Sequence, residues 1–108
     1  MLQYQMFPLC EMTGYEEKTT CWNDFCIAEH FGEDAIKETY SRMFEDLKCD
    51  TELITELTMV LNWKMWQQSD EGNISLCRLY EKLWRKNDEW CMKNLKEENL
   101  SYYLKTID

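Results

Sequence analysis

Between Trp22 and Asp108 the chain contains no proline and only two glycines, Gly32 and Gly72. Tight turns draw on the backbone freedom of glycine and the preset angle of proline. A chain this poor in both has little material for the repeated reversals of a many-stranded sheet. A few long helices joined by a few loops need far less.

The apolar spacing agrees. Ile36, Tyr40, Met43, Phe44 and Leu47 form one stripe and predict a helix over 33–48, with Glu33 and Asp34 at its start and Lys48 at its end suited to the helix dipole. A shorter helix over 22–30 carries Trp22, Phe25, Cys26 and Glu29 and stops at Gly32. A third takes Asp50 or Thr51 as its N-cap and runs to 68. Its main face is Leu53, Ile54, Leu57, Val60, Leu61 and Met65, while Met59, Trp63 and Trp66 lie on another side. So broad an apolar surface belongs to a central helix packed on two sides, or else to an exposed interface. In the second case a homodimer seam is expected at Trp63 and Trp66.

Residues 69–73 read as a plain loop. A fourth helix over 74–96 turns Leu76, Leu79, Tyr80, Leu83, Trp84, Trp90, Cys91 and Leu95 inward, and a short fifth over 98–105 packs Leu100, Tyr103 and Leu104. Residues 1–20 have no helical period and are interrupted by Pro8 and Gly14, so they read as an irregular or extended N-terminal arm. The expected fold is all-α: a compact bundle of four to five helices forming a single helical domain over 21–108, preceded by that arm. With 44% apolar and 14% aromatic residues there is enough bulk for one core.

No stretch approaches the roughly 20 apolar residues of a membrane span, and the first twenty residues lack a basic start and a long apolar run. A cytoplasmic location is therefore expected, with the six cysteines (Cys10, Cys21, Cys26, Cys49, Cys77, Cys91) reduced and used as small apolar residues.

Reactive patterns are sparse. Cys10, Cys21, Cys26 and His30 fall loosely within a three-Cys, one-His zinc spacing, but no paired C-x-x-C is present, and Cys21 and Cys26 point in different directions on one helix. Core cysteines and one surface histidine are the expected reading, with no metal or cofactor. His30, flanked by Glu29 and Glu33, would serve acid–base catalysis only if desolvated, and its place at a charged helix end suggests solvent. No catalytic triad order, nucleophile elbow, phosphate loop or di-iron element is visible. The chain is not expected to be an enzyme.

Charge is the stronger signal. Residues 1–56 hold thirteen carboxylates against four bases, and residues 57–108 hold eight of each, so the whole net charge of −9 lies in the first half. On the second helix Asp34, Glu38 and Glu45 fall within about 40° of one another and span roughly 17 Å, with Asp46 nearby. Glu16, Glu17, Asp24 and Glu29 precede them; Asp50, Glu52 and Glu56 follow. Carboxylates along a rod can imitate nucleic-acid phosphates and enter a basic channel. The plainer alternative is a solvated salt-bridge ladder of Glu38, Arg42 and Asp46, spaced four apart. The fourth helix shows the converse: Arg78, Lys82, Arg85, Lys86, Lys93 and Lys96 lie within about 100° of arc along about 27 Å, interrupted by Glu89. That stripe would touch phosphates directly, or pair with the acidic half within one molecule or across a dimer.

Five segments carry a family resemblance: W-x-D-F-x-I-A-E-x-F-G (Trp22–Gly32), A-I-K-E-T-Y (Ala35–Tyr40), T-E-L-x-x-V-L-N-W-K-x-W (Thr55–Trp66), L-Y-E-K-L-W (Leu79–Trp84), and N-L-K with L-S-Y-Y-L-K-T-I-D at the end. The chain from Trp22 onward resembles a family of small, mostly uncharacterised proteins carried on conjugative and other mobile elements of Gram-positive gut bacteria. A glycine that the family pattern places near Glu97 is missing. The resemblance implies a genomic setting in which small acidic inhibitors of host nucleases are common. The expected function is thus a non-enzymatic inhibitor of a nucleic-acid-targeting defence enzyme, of anti-CRISPR or anti-restriction type. Its partner-binding residues would be Glu16, Glu17, Asp34, Glu38, Glu45, Asp46, Asp50 and Glu52, set into a basic groove on a CRISPR effector or restriction enzyme. The alternative is a nucleic-acid-binding accessory or regulatory protein using Arg78, Lys82, Arg85, Lys86 and Lys93.

Overall fold

The computed structural model describes residues 21–107, apart from the Cys21 side chain. The expected N-terminal arm, with Cys10, Glu16 and Glu17, lies outside the described residues. Within them the fold is all-α: α1 (Cys21–Glu29), α2 (Glu33–Leu47), α3 (Thr51–Asp70), α4 (Ile74–Asn94) and α5 (Glu97–Ile107). No described helix is long and apolar enough to cross a membrane.

Each boundary has a local cause. Gly32, at φ 113°, turns the chain between α1 and α2 in a conformation that a side chain would strain. Asp50 caps α3, its Oδ1 accepting from the Leu53 N–H at 3.1 Å. Asn73 does the same for α4, accepting from the Leu76 N–H at 3.1 Å. The stretch 69–73 is therefore more than a loop, since it ends in a cap. The α3 helix also runs two residues past the expected 68, to Asp70.

At the other end α4 stops at Asn94, two residues short of the expected boundary, and Leu95 is extended (φ −77°, ψ 143°). The chain then re-enters a helix through Glu97 at φ 52°, the one non-glycine with positive φ among the described residues. A side chain there costs about 1–2 kcal/mol of backbone strain.

α3 packs against each of the other four helices. Its Ile54, Leu57, Val60 and Leu61 are wholly buried, so its broad apolar surface belongs to a central helix. Trp63 packs partly against that core, whereas Trp66 is 58% exposed. The α2 stripe is also seated as its spacing predicts, with Ile36, Tyr40 and Met43 buried. Leu104, expected inside, is exposed; α5 instead holds on through Tyr103, which is wholly buried.

The deepest charge in the molecule is Lys64, whose side chain is fully buried. Its Nζ lies 2.8 Å from Glu29 Oε2, donates to Gln67 Oε1 at 2.6 Å, and lies 3.4 Å from Cys26 Sγ. It also sits 4.4 Å from the Trp22 ring centroid. Glu29 Oε2 in turn accepts from the Tyr80 hydroxyl at 2.6 Å. An ammonium taken from water costs several kcal/mol unless paired and hydrogen-bonded, and here a carboxylate, an amide and a ring face all meet it. Glu29 is thus turned inward from the solvent expected for it, and it ties α1 to α3 and α4.

Removing one partner of such a pair leaves the other buried and unmatched. Lys64→Met should lower unfolding free energy in urea by about 3 kcal/mol. Glu97→Gly should do the reverse, relieving strain and raising the thermal midpoint by about 5 °C. A drop in the midpoint would contradict the strained turn.

Candidate functional site

α2 and α4 run side by side in the same direction. Ser75 Oγ donates to Glu33 Oε2 near their starts, Tyr40 donates to Asn87 Oδ1 at 3.0 Å in the middle, and Phe44 meets the Trp90 ring edge-to-face further on, centroids 5.2 Å apart. Between the two helices lies a groove of about 440 Å³. Its floor is Tyr40, Phe44 and Trp90. The α2 wall presents Ser41 and Glu45, and the α4 wall Lys86, Glu89 and Lys93.

A buried polar chain anchors the floor from beneath. The Asn87 amide donates to Thr58 Oγ1 at 2.7 Å and to the Ile54 carbonyl at 3.3 Å. The Tyr103 hydroxyl donates to Asp88 and lies 3.3 Å from Thr58 Oγ1. Asn87, which is wholly buried, ties α4 to α2 and α3, and Tyr103 adds α5 through Thr58 and Asp88. Burial pushes the Tyr40 phenol well above its ordinary range. Burial, reinforced by the hydrogen bond to Asp88, does the same for Tyr103. The Cys91 thiol is pushed up to about 11 by burial, against the opposing hydrogen bonds of Thr58 and Tyr103.

The expected acidic face is real in placement. Asp34, Glu38, Glu45, Asp46, Asp50 and Glu52 are all exposed. Glu45 is held by Lys48 at 2.8 Å, and that contact raises the Lys48 ammonium above its ordinary value. The expected ladder of Glu38, Arg42 and Asp46 does not form. Arg42 reaches back to Asp24 of α1 instead, at 3.6 Å, so the spacing of four is not used. Asp50 has a second role as the α3 cap.

The basic residues Arg78, Lys82, Arg85, Lys86 and Lys93 are likewise exposed. Arg85 pairs with Glu81 at 2.8 Å and lies over the Trp84 ring, and Lys86 lies 5.8 Å from the Tyr40 centroid. Among the described residues no ion pair joins the α2 carboxylates to the α4 bases.

The His30 constellation is not assembled among the described residues. Glu29 is committed to Lys64 and Tyr80, Glu33 to Ser75, and His30 is exposed, so the three do not converge on one site. Cys26 faces Lys64, and burial raises its thiol above its usual value in spite of that ammonium. No group of three or more His, Cys, Asp or Glu side chains among the described residues is placed to hold a metal ion. Cys10 and the Cys21 side chain lie outside the described residues.

Sequence reasoning placed Tyr40, Phe44 and Trp90 in the core and overlooked Asn87. The aromatic positions were visible as apolar spacing, and their role as a groove floor depends on how α2 meets α4. Asn87 carried a usable signal, being a polar residue between Leu83 and Cys91 on the inward stripe of α4. Comparison with protein-family models, with curated proteins and with solved structures finds no match to this chain.

Burial weakens the Cys91 thiol and the buried phenols as acids, and this sets a pH dependence. In the unfolded chain Cys91 ionises near its ordinary 9.0, whereas the folded protein keeps it protonated to about 11. The unfolded state then binds fewer protons, so stability is intact below pH 9 and falls as pH rises through that window. The urea midpoint should be lower at pH 10.5 than at pH 8; equal midpoints would show that these groups are not buried in solution.

Proposed function

We propose that this chain is a non-enzymatic interaction protein whose α2 carboxylates occupy a basic nucleic-acid-binding groove on another protein. The observation that carries this reading is the exposed acidic ridge Asp34, Glu38 and Glu45 on one rigid helix face, which forms no ion pair with the bases of α4. A helix fixes the spacing of its charges in advance, so little ordering entropy is lost when they meet a complementary surface. The mobile-element resemblance narrows the partner to a host enzyme acting on nucleic acid in the cytosol, a CRISPR effector or a restriction enzyme, and makes the protein its inhibitor.

The second reading, a nucleic-acid-binding accessory protein, is favoured by the exposure of all five candidate bases on α4. It is opposed by the net charge of −9, which weakens any encounter with a polyanion.

The two separate experimentally. The wild-type protein should inhibit DNA cleavage by at least one member of a panel of purified CRISPR nucleases and restriction enzymes, more weakly as salt rises. Asp34→Lys/Glu38→Lys/Glu45→Lys should lose that inhibition while its helical circular dichroism is retained. Undiminished inhibition by the triple variant would sink the acidic-ridge reading. A gel shift of DNA or RNA that disappears with Arg78→Glu/Lys82→Glu/Arg85→Glu would favour the second.

A further inference from the structure

We propose that the groove between α2 and α4 is a binding site for a small aromatic anion: a planar ring carrying one phosphate or carboxylate group, of which a free mononucleotide is the representative. Its volume of about 440 Å³ lies within the range of small-molecule sites, which pair an apolar lining with a few convergent polar groups. The floor of Phe44 and Trp90 offers aromatic surface to a ring, and stacking or edge contacts with an aromatic ring are favourable for any base.

Charge decides the rest of the ligand. Glu45 is already engaged by Lys48 at 2.8 Å. That leaves Lys86 and Lys93 against Glu89 alone on the rim, and neither lysine has an ion-pair partner among the described residues. The two lysines lie about 10 Å apart along α4, two turns, with Trp90 between them, so a ring on the floor brings its anionic substituent within reach of an ammonium. The Ser41 hydroxyl on the opposite wall can donate to the same group.

The same geometry sets an upper limit on size. Asp34 and Glu38 continue the stripe of Glu45 along the α2 wall, so further phosphates of a strand would meet carboxylates on that side. The site therefore takes a ligand of one or two charges and not a polymer. It uses Lys86, Lys93 and the aromatic floor, and shares only Glu45 with the acidic ridge on which the proposed function rests.

The test is an NMR titration of the full chain with adenosine monophosphate, following the Trp90 indole N–H, assigned through Trp90→Phe. The indole signal should shift saturably with a dissociation constant below about 1 mM. Adenosine, which lacks the anion, and ribose 5-phosphate, which lacks the ring, should each bind at least about tenfold more weakly. Lys86→Ala/Lys93→Ala should weaken the nucleotide about tenfold with unchanged circular dichroism. A 5′-phosphorylated oligo-deoxyadenylate of about eight nucleotides should bind no tighter than the mononucleotide. The proposal is overturned by an unmoved Trp90 signal, by adenosine binding as well as its phosphate, or by a strand that binds more tightly than the mononucleotide.

Discussion

Everything at the α1 end of the molecule depends on one buried ammonium. Lys64 lies in the middle of the central helix, and a charge there is tolerable only if α1 delivers Glu29 and Trp22 to it and α4 delivers Tyr80 to Glu29. The hydrophobic effect is indifferent to the rotation of α1 about its axis, whereas an ammonium that needs a carboxylate within hydrogen-bond reach is not. We read the bridge as the element that selects one packing of α1 among several apolar alternatives, a use attested for some buried polar groups. Phe25, meeting Tyr80 edge-to-face with centroids 5.7 Å apart, then fills the space that this orientation leaves.

The Asn87 chain plays the matching part where α2, α3 and α4 meet. It joins Tyr40, Thr58 and Tyr103 from three helices to a residue of a fourth. Around these two polar knots the core is apolar, so the bundle is pinned at two polar points and filled by hydrophobic side chains elsewhere. The charged surface is built on this frame. α2 and α4 hold opposite signs side by side without neutralising each other, because their carboxylates and ammonium groups rise from the two shoulders of an aromatic floor that keeps them apart.

Periodicity made the helices legible, and the Asp50 cap, the Gly32 turn and the α2 stripe follow from single residues whose chemistry allows few alternatives. What could not be read was pairwise. A lysine between Trp63 and Met65 looks like a solvent-facing break in an apolar helix until Glu29 is known to lie opposite it. Arg42 has two carboxylates at ideal spacing on its own helix and bonds to a third on another. The groove is legible only in its parts, since a pair of lysines, an aromatic pair and a glutamate become one site when two helices separated by the whole of α3 lie parallel.

That parallel arrangement has a kinetic consequence. Antiparallel neighbours such as α3 and α4 are joined by a short loop and can zip together locally. α2 and α4 meet through residues 42 to 47 positions apart, with a complete helix intervening, and such closures are entropically slow. Bringing the groove's walls together therefore closes a longer loop than docking α3 on α4 does. A site placed there depends on both helices: a partner or ligand that engages both walls meets only molecules in which α2 and α4 are docked, and by binding them it holds the two together.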